Sequence, residues 1–287
     1  MIGTTFRALG PGDEAKLEFF LAQTPESSMF LRANLAKAGI VDRGEPFQGS
    51  YAGAFEDGRL VGAAALYWNG NLMLQCPPAH AAKLVAETLA TGLPRAASGL
   101  IGPSAQVEAA IEIPPFSLRR ARLAARQDLL AMALQGFAMP EPPGPAYEAG
   151  PAADADRPLL RDWRYAYCRE VLAWAESDGS RRMAAEEIDR TLDDGNGYVL
   201  RRDGTPIAYA GINARLPDIV QIGGVYVPPD ERDQGYGRLV TAAALADVKA
   251  KGARHAILFT GIENIPAKFC YEGLGFRVVG DYAVVLY

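Results

Sequence analysis

The sequence of 287 residues predicts a mixed α/β fold, built as two similar domains in tandem. Two observations, beyond a length that exceeds the roughly 150 residues of one typical domain, support this prediction. A segment near the midpoint, 139–151, contains five prolines and two glycines, a density that interrupts helices and central strands. A hairpin pattern also occurs once on each side of it. We predict a first domain over 1–139, a linker over 140–146 and a second domain over 147–287.

The hairpin pattern consists of an Asp-Gly pair between apolar segments, which is typical of a tight β-turn. The two pairs are Asp57-Gly58 and Asp203-Gly204, and they lie 203 − 57 = 146 residues apart. The same offset relates Gln75 to Gln221. We interpret the two halves as a duplication. Because Asp-Gly hairpins are common, chance remains the alternative.

Hydrophobic spacing and turn residues predict the order of elements in the second half. Asp156 is placed to cap a helix that has Pro158 in its first turn. After it we predict a helix over 180–192, strands over 198–202, 206–214 and 219–227, a helix over 237–251, a strand over 256–260, a short helix over 267–272 and a terminal β segment. In the first half, the arginines and leucines of 118–134 predict an amphipathic helix.

The terminal segment 277–287 is too short for the usual two closing strands and a connection. Two readings remain open: a tight hairpin at Gly280-Asp281, or one long strand whose apolar edge needs a cover. We favour the single strand, with the first half as its cover.

Composition excludes several classes of function. With 29 basic and 34 acidic residues the formal charge is −5, and no basic block predicts binding to nucleic acid or to an anionic membrane. No apolar stretch approaches the roughly 20 residues of a membrane span. Three distant cysteines, Cys76, Cys168 and Cys270, indicate buried thiols in a reducing compartment and no metal site. We therefore predict a cytoplasmic protein that acts on small molecules, of undetermined oligomeric state.

The strongest functional motif follows the strand predicted to end at Val227. There the sequence Arg232-Asp233-Gln234-Gly235-Tyr236-Gly237-Arg238 leads directly into a helix. Glycines allow the backbone to approach an anion closely, and a helix N-terminus offers unpaired N–H groups with a partial positive charge. The loop is thus predicted to bind a pyrophosphate, with a tight turn and close helix packing as the alternative.

Two motifs together resemble the GNAT superfamily of N-acetyltransferases over about 147–287. Arg232, Gly235 and Gly237 match the superfamily's acetyl-CoA loop, Gln/Arg-x-x-Gly-x-Gly/Ala. The second pattern is Asn-x-x-Ala-x-x-x-Tyr-x-x-x-Gly-Phe, matched by Asn264, Ala267, Tyr271, Gly275 and Phe276. The resemblance implies a fold in which each domain is a mixed, mostly antiparallel sheet flanked by helices, the first domain being a degenerate GNAT-like one.

The resemblance also implies roles for individual residues. The backbone of Val225, Tyr226 and Val227 would pair with the pantetheine arm of acetyl-CoA, and Asn264 would hydrogen-bond that arm. The amides of Arg232 to Arg238 would hold the pyrophosphate. Tyr271 would give a proton to the departing thiolate. The alternatives are a core tyrosine with a satisfied hydroxyl for Tyr271, and a helix cap for Asn264.

The general base is missing from the position where the histone-type branch of the superfamily carries a glutamate. Counting 14 residues back from Gly235 gives Gln221, an amide that cannot accept the amine proton at neutral pH. The remaining candidates are Asp218, Glu263 and a water chain to a backbone carbonyl.

The first half lacks the phosphate loop. Its matching segment contains Pro77-Pro78, no glycine and two residues without an N–H, so we predict one acetyl-CoA site, in the second half. The favoured function is acetyl transfer from acetyl-CoA to a primary amine of a small-molecule acceptor by direct attack. The alternatives are a catalytically silent acyl-CoA-binding module, and a tandem GNAT enzyme that acylates an amino-sugar thiol or an aminoacyl acceptor.

Overall fold

The computed structural model describes residues 3–287, which form two compact units. Unit 1 comprises residues up to Leu129 together with Val279–Tyr287, and unit 2 comprises Leu130–Val278. Along the chain, each half follows the same order of elements, β-α-α-β-β-β-α-β-α-β. This repeated order confirms the mixed α/β fold class and the tandem arrangement.

The first repeat has six strands and four helices. They are β1 (Thr5–Ala8), α1 (Glu14–Leu21), α2 (Met29–Ala38), β2 (Gly49–Glu56), β3 (Arg59–Tyr67), β4 (Asn71–Gln75), α3 (Pro78–Thr91), β5 (Gly99–Pro103), α4 (Ser104–Ala110) and β6 (Leu123–Ala133).

The second repeat has the same number of elements. They are β7 (Tyr147–Pro151), α5 (Arg157–Leu172), α6 (Asp178–Asp193), β8 (Gly197–Arg202), β9 (Thr205–Arg215), β10 (Ile219–Tyr226), α7 (Tyr236–Ala250), β11 (His255–Gly261), α8 (Ile265–Glu272) and β12 (Arg277–Leu286). Among the described residues, no helix has the length and apolar character needed to cross a membrane.

The sheets of the two units have matching topology. In unit 1 the strand order is β1-β2-β3-β4-β5-β12, and in unit 2 it is β7-β8-β9-β10-β11-β6. The ladders β4/β5 and β10/β11 are parallel, whereas β1 to β4, β7 to β10 and the β5/β12 pair are antiparallel. Each sheet is therefore mixed and mostly antiparallel, as the resemblance implied.

The Asp-Gly hairpins are confirmed. Asp57 and Asp203 have φ of +50° and +49°, and Gly58 and Gly204 have φ of +76° and +77°. Two successive residues with positive φ match the right-handed twist of the flanking strands, which explains the choice of Asp-Gly at both turns.

The offset of 146 does not extend to Gln75 and Gln221. The parallel ladders begin at Asn71 opposite Gly99 and at Ile219 opposite His255. The offset at that point is 219 − 71 = 148, so Gln75 occupies the place of Gly223. Because a repeat tolerates insertions in its turns, its register has to be taken from the ladders.

The predicted helix over 118–134 is wrong, because this segment contains β6. Leu130 and Met132 of the strand, and Leu134 just after it, alternate into the apolar core of unit 2. Burial of every second side chain is the pattern of a β-strand with one face on the core. This tertiary packing outweighs the helix propensity of leucine, alanine and arginine.

The terminal segment is a single strand, as favoured. Residues Tyr282 to Leu286 of β12 pair with Pro103 to Gly99 of β5, so a strand from the first half covers the edge of β12. This pairing places 279–287 in unit 1, and the core packing of β6 places 130–146 in unit 2. The division into domains at 140–146 stays a prediction about which parts fold alone.

The sheet of unit 2 is covered on both faces. On one face α7 packs against alternate residues of β8, β9 and β10, including Leu200, Ala210 and Val220. On the other face α5 and α6 contribute Leu160 and Ile188, which pack against Val199 and Tyr209. The alternation of strand side chains between these two clusters assigns each residue near the site to one face.

Candidate active site

The site begins where β10 and β11 separate. Their parallel ladder runs from the pair Ile219 and His255 to the pair Ile222 and Leu258. Both strands continue past it, β10 to Tyr226 and β11 to Gly261, without pairing with each other. The edge of β10 over 223–226 is therefore open to another extended chain.

A bulge in β10 opens this gap. The register between β9 and β10 shifts after Gln221, where β9 has the extra residue, and again between Gly223 and Tyr226, where β10 has it. Gly224 has φ of +63°, which favours glycine. A β-carbon at Gly223 would collide with the side-chain amide of Asn213, and one at Gly224 would meet Arg164. The two glycines therefore allow the strand to bend away from β11.

The glycine-rich loop connects β10 to α7. Asp233 and Gly235 both have positive φ, +64° and +76°. Within the part of the chain that the structure describes, the backbone N–H groups of 233–237 donate to no acceptor. The first amides bonded again are those of Arg238 and Leu239, both to the carbonyl of Gly235. Five successive amides are thus available at the start of a 15-residue helix, a suitable site for an anion.

The two loop arginines have structural partners. The Nε atom of Arg232 donates to the Val227 carbonyl at 3.0 Å, and its Nη2 donates to Glu170 at 2.8 Å. The Nη2 atom of Arg238 donates to the Gly273 carbonyl at 3.0 Å. These bonds hold the loop against α5 and the end of α8, so the side chain of Arg232 stabilises the shape of the loop.

The three predicted arm-binding residues lie along the open edge. Val225 and Val227 direct their side chains into the core beneath α7. The ring of Tyr226 packs against Trp163 of α5, with centroids 5.9 Å apart. With their side chains committed to packing, these residues can offer only their backbone to a ligand.

Tyr271 lies near the C-terminal end of α8, the helix that follows β11. It belongs to the core under α7, where its ring meets Phe276 edge to face at 6.1 Å. Its hydroxyl makes no hydrogen bond within the described residues. Burial, with a smaller effect of Tyr167 from α5, raises the pKa of Tyr271 well above its usual value. The hydroxyl thus keeps its proton at neutral pH and has no structural acceptor for it.

Asn264 caps α8. Its Oδ1 accepts a hydrogen bond from the Ala267 N–H at 3.2 Å, the capping arrangement. The Nδ2 group has no partner among the described residues and remains free to donate. The cap and a ligand contact are therefore compatible.

Gln221 is buried on the α5 and α6 face. Its Nε2 donates to the carbonyl of Ile222 at 2.6 Å, and its Oε1 has no partner within the described residues. Of the two acidic candidates, Asp218 precedes β10 at the end where the ladder is closed. Glu263 lies exposed in the turn between β11 and α8, at the open end. No group of three side chains able to hold a metal occurs in the described part of the chain.

Sequence reasoning missed a charged cluster on the α5 and α6 face. Arg164 of α5 donates through Nε to Glu187 of α6 at 2.8 Å, and its guanidinium lies 5.1 Å from the ring centroid of Tyr167. Tyr209 of β9 packs at the same place, and burial raises its pKa to about 12. Arginines at 157, 161 and 164, three or four residues apart along one helix, were a detectable signal.

Comparison with known proteins agrees with this geometry. The family described as Acetyltransferase (GNAT) family matches residues 159–276. A mycothiol acetyltransferase of Nocardia farcinica is 26% identical over 261 residues, which cover 85% of this chain and 84% of that protein.

Two solved structures show the same fold across the whole chain. A GCN5-related N-acetyltransferase from Sphaerobacter thermophilus has a TM-score of 0.61 at 14% identity, covering 98% of this chain and 94% of its own. A tandem GNAT protein from the clavulanic acid biosynthesis pathway has a TM-score of 0.56 at 13% identity, covering 99% and 98%. Residues 159–276 match the GNAT acetyltransferase family, and these relatives support the interpretation of the protein as an N-acetyltransferase enzyme.

Proposed function

We propose that this protein transfers an acetyl group from acetyl-CoA to a primary amine of a small-molecule acceptor by direct attack. The observation that supports this most strongly is a continuous set of unused backbone groups. The open edge of β10 over 223–226 is followed, seven residues later, by the start of a run of five unbonded amides, 233–237, that ends in the first turn of α7. An extended arm that ends in a pyrophosphate has the shape and the hydrogen-bonding groups to use both.

The residues present fit acetyl-CoA. The backbone of Val225, Tyr226 and Val227 would pair with the pantetheine arm, and the free Nδ2 of Asn264 would reach the arm from α8. The amides of the segment Arg232, Asp233, Gln234, Gly235, Tyr236, Gly237 and Arg238 would hold the pyrophosphate, with those of 233–237 unbonded. Bound acetyl-CoA supplies the activated acetyl group as a thioester.

Tyr271 is the proposed general acid. As the amine nitrogen bonds to the thioester carbonyl carbon, the carbon–sulfur bond breaks and the sulfur leaves as a thiolate. A thiol has a pKa near 8.5, so the sulfur leaves more readily when a hydroxyl protonates it. The Tyr271 hydroxyl carries a proton at neutral pH, and it makes no hydrogen bond to another described residue.

The amine has to lose a proton, and Gln221 cannot take it. Asp218 lies six residues before Gly224, and at about 3.3 Å per residue this places it roughly 20 Å from that residue. Glu263 lies at the open end of the gap but is exposed. We propose that water carries the proton away, with Glu263 or a backbone carbonyl as the first acceptor.

The class of acceptor has a second candidate besides a simple amine. The relative that matches 85% of this chain is named for mycothiol, so we include the desacetylated form of mycothiol among the acceptors. This candidate belongs to the tandem enzymes that acylate amino-sugar thiols. The separate hypothesis of a catalytically silent binding module loses support from the enzymatic relatives.

We also propose a cytoplasmic location, since the three cysteines are free thiols and Cys76 and Cys168 are buried. The decisive experiment for function is a thiol-release assay of the purified chain with acetyl-CoA and an amine panel that includes desacetylated mycothiol. We expect amine-dependent release of CoA and one acetyl-CoA site by calorimetry. Binding of acetyl-CoA without release for any amine would instead support the silent module.

A further inference from the structure

We propose that Arg164 binds an oxygen atom of the acceptor molecule. That oxygen belongs to a carboxamide or carboxylate group, and this group is attached to the carbon that carries the amine. The inference rests on the proposed amine acetylation and names a substrate class for it. The class is an α-amino acid or its amide. The argument starts from the hydrogen bonds of Arg164 and their contrast with those of its neighbours.

Three arginines of α5 face acidic residues of α6, but they use different atoms. Arg161 donates hydrogen bonds from Nε and Nη2 to the carboxylate of Asp189 at 2.9 and 2.6 Å. Arg157 uses Nη1 and Nη2 for Asp154, Asp189 and Asp193. Arg164 uses only Nε, for Glu187. Its Nη1 and Nη2 have no acceptor within the described residues.

The free end of Arg164 points to the bulge of β10. A β-carbon on Gly224 would lie 2.9 Å from its Nη1 and 3.9 Å from Cε1 of Tyr209. Any side chain at Gly224 would therefore collide with the guanidinium. Glycine at this position lets Nη1 of Arg164 lie directly against the backbone of the bulge, next to the strand edge where the acetyl group is proposed to lie.

The surroundings hold the guanidinium in place. Only 17% of the Arg164 side chain is exposed, Glu187 fixes its Nε, and the Tyr167 ring lies beneath its plane. A planar guanidinium with a fixed orientation presents its remaining N–H groups as a fork, which matches the oxygen atoms of a carbonyl or carboxylate. Because Glu187 already balances the charge, a neutral carboxamide fits as well as an anion.

The position on the sheet assigns this group to the acceptor. The glycine loop precedes α7, which covers one face of the sheet, whereas Tyr209 lies on the opposite face, which is covered by α5 with its Arg164 and by α6. The bulge connects the two faces. If the acceptor's amine enters the gap between β10 and β11 from the α5 side, its carboxamide or carboxylate oxygen would point toward Arg164.

The test uses three probes with the enzyme saturated with CoA, which carries no acetyl group and so allows no turnover. L-Alaninamide and L-alanine carry the oxygen, and sec-butylamine replaces it with an ethyl group. We expect calorimetry to show that wild type binds alaninamide or alanine at least about tenfold more tightly than sec-butylamine. Arg164→Met should weaken that binding by about 10- to 100-fold and leave sec-butylamine unchanged, the usual loss for hydrogen bonds to a charged group.

Arg161→Met is the matched control, since it also breaks an α5 to α6 ion pair but lies away from the bulge. It should leave all three affinities unchanged. Equal binding of sec-butylamine and alaninamide by wild type, or failure of all three to bind, overturns the inference. An equal loss for all probes in Arg164→Met overturns it too, because that marks a structural role.

The two carbonyl probes distinguish the sources of the oxygen. Preference for alanine over alaninamide assigns a carboxylate, and the reverse preference assigns a carboxamide. The proposed function fails separately, through absence of acetyl-CoA binding or of amine-dependent thiol release in wild type.

Discussion

The two units contain the same parallel strand pair followed by a helix, and they differ in what connects them. In unit 1 only two residues, Cys76 and Pro77, separate β4 from α3. In unit 2 nine residues, 227–235, separate β10 from α7. The longer connection has room for successive unbonded amides, whereas the short one ends in prolines that have no N–H. One inserted loop therefore distinguishes a candidate acetyl-CoA site from a structural copy.

Unit 1 also fills the place that unit 2 leaves open. The N–H of Cys76 donates to Oε1 of Gln106 at 2.9 Å, and Gln75 accepts from Ser27 at 2.9 Å. Both glutamines are buried. Burial raises the pKa of the Cys76 thiol to about 12, so this thiol is an inert part of the core. At this position unit 1 uses its polar groups for internal hydrogen bonds, whereas the corresponding edge of β10 in unit 2 is not paired with β11.

The largest expected effect comes from the loop that only unit 2 has. Gly235→Val should abolish detectable acetyl-CoA binding, because φ of +76° is strained for a β-branched residue and the loop would shift its amides. Calorimetry measures the affinity. Gly204→Val is the matched control, since Gly204 has φ of +77° and equally open space but lies in a hairpin. Unchanged affinity in Gly235→Val, or two acetyl-CoA sites in wild type, would contradict the difference between the units.

The second largest effect is expected from removal of the Tyr271 hydroxyl. Tyr271→Phe should lower kcat by roughly 10² to 10⁴ and leave the acetyl-CoA affinity nearly unchanged. Because that hydroxyl has no protein partner, the free energy of unfolding should also stay the same. The control in unit 1 is Tyr67→Phe, a buried tyrosine on β3, and this change removes the bond between Tyr67 and Tyr51. It should lower stability by about 1 kcal/mol and leave kcat intact. Wild-type kcat in Tyr271→Phe would remove the hydroxyl from the mechanism.

Local signals explain what could be predicted from the sequence. The Asp-Gly turns and the glycine loop depend on φ values that few residue types adopt, so their positions are visible in the chain. The exchange of β6 and β12 between units depends on pairing with distant strands, which no local pattern records. The bulge at Gly224 and the ion pair of Arg164 with Glu187 likewise need the assembled sheet.

A smaller difference between the units concerns the ion pairs of the aspartates that precede their first helices, α5 and α1. Asp156 precedes α5 and pairs with Arg201, and Asp13 precedes α1 and pairs with Arg7. Against the effect of burial, hydrogen bonds from Arg201 and the Ala153 N–H lower the pKa of Asp156, and the hydrogen bond from Arg7 lowers that of Asp13 to about 2. A lowered carboxyl pKa adds stability above the unfolded value of about 3.9 that is lost as pH falls through the folded value.

Asp156→Asn should therefore lower the free energy of unfolding at pH 7 by about 3 kcal/mol, because Arg201 is left largely buried and unpaired. Asp13→Asn should cost less than about 1 kcal/mol, since Arg7 is half exposed. Urea unfolding at pH 7 and at successively lower pH measures both. The difference in the free energy of unfolding between wild type and Asp156→Asn should become smaller as the pH falls below 4. A difference that stays constant would show that the charge of Asp156 contributes nothing to stability.

The smallest effect tests whether the side chain of Gln106 or the short connection between β4 and α3 prevents unit 1 from binding acetyl-CoA. Gln106→Ala leaves the buried Cys76 N–H without an acceptor and should lower the free energy of unfolding by about 1–2 kcal/mol. Gln75→Ala is the control, equally buried but bonded to a serine hydroxyl that can turn to another acceptor, and it should cost less. Neither variant should gain an acetyl-CoA site, because removing Gln106 frees one amide and Pro77 and Pro78 supply none. A second acetyl-CoA binding event by calorimetry in Gln106→Ala would show that the Gln106 side chain, and not the missing loop, prevents binding in unit 1.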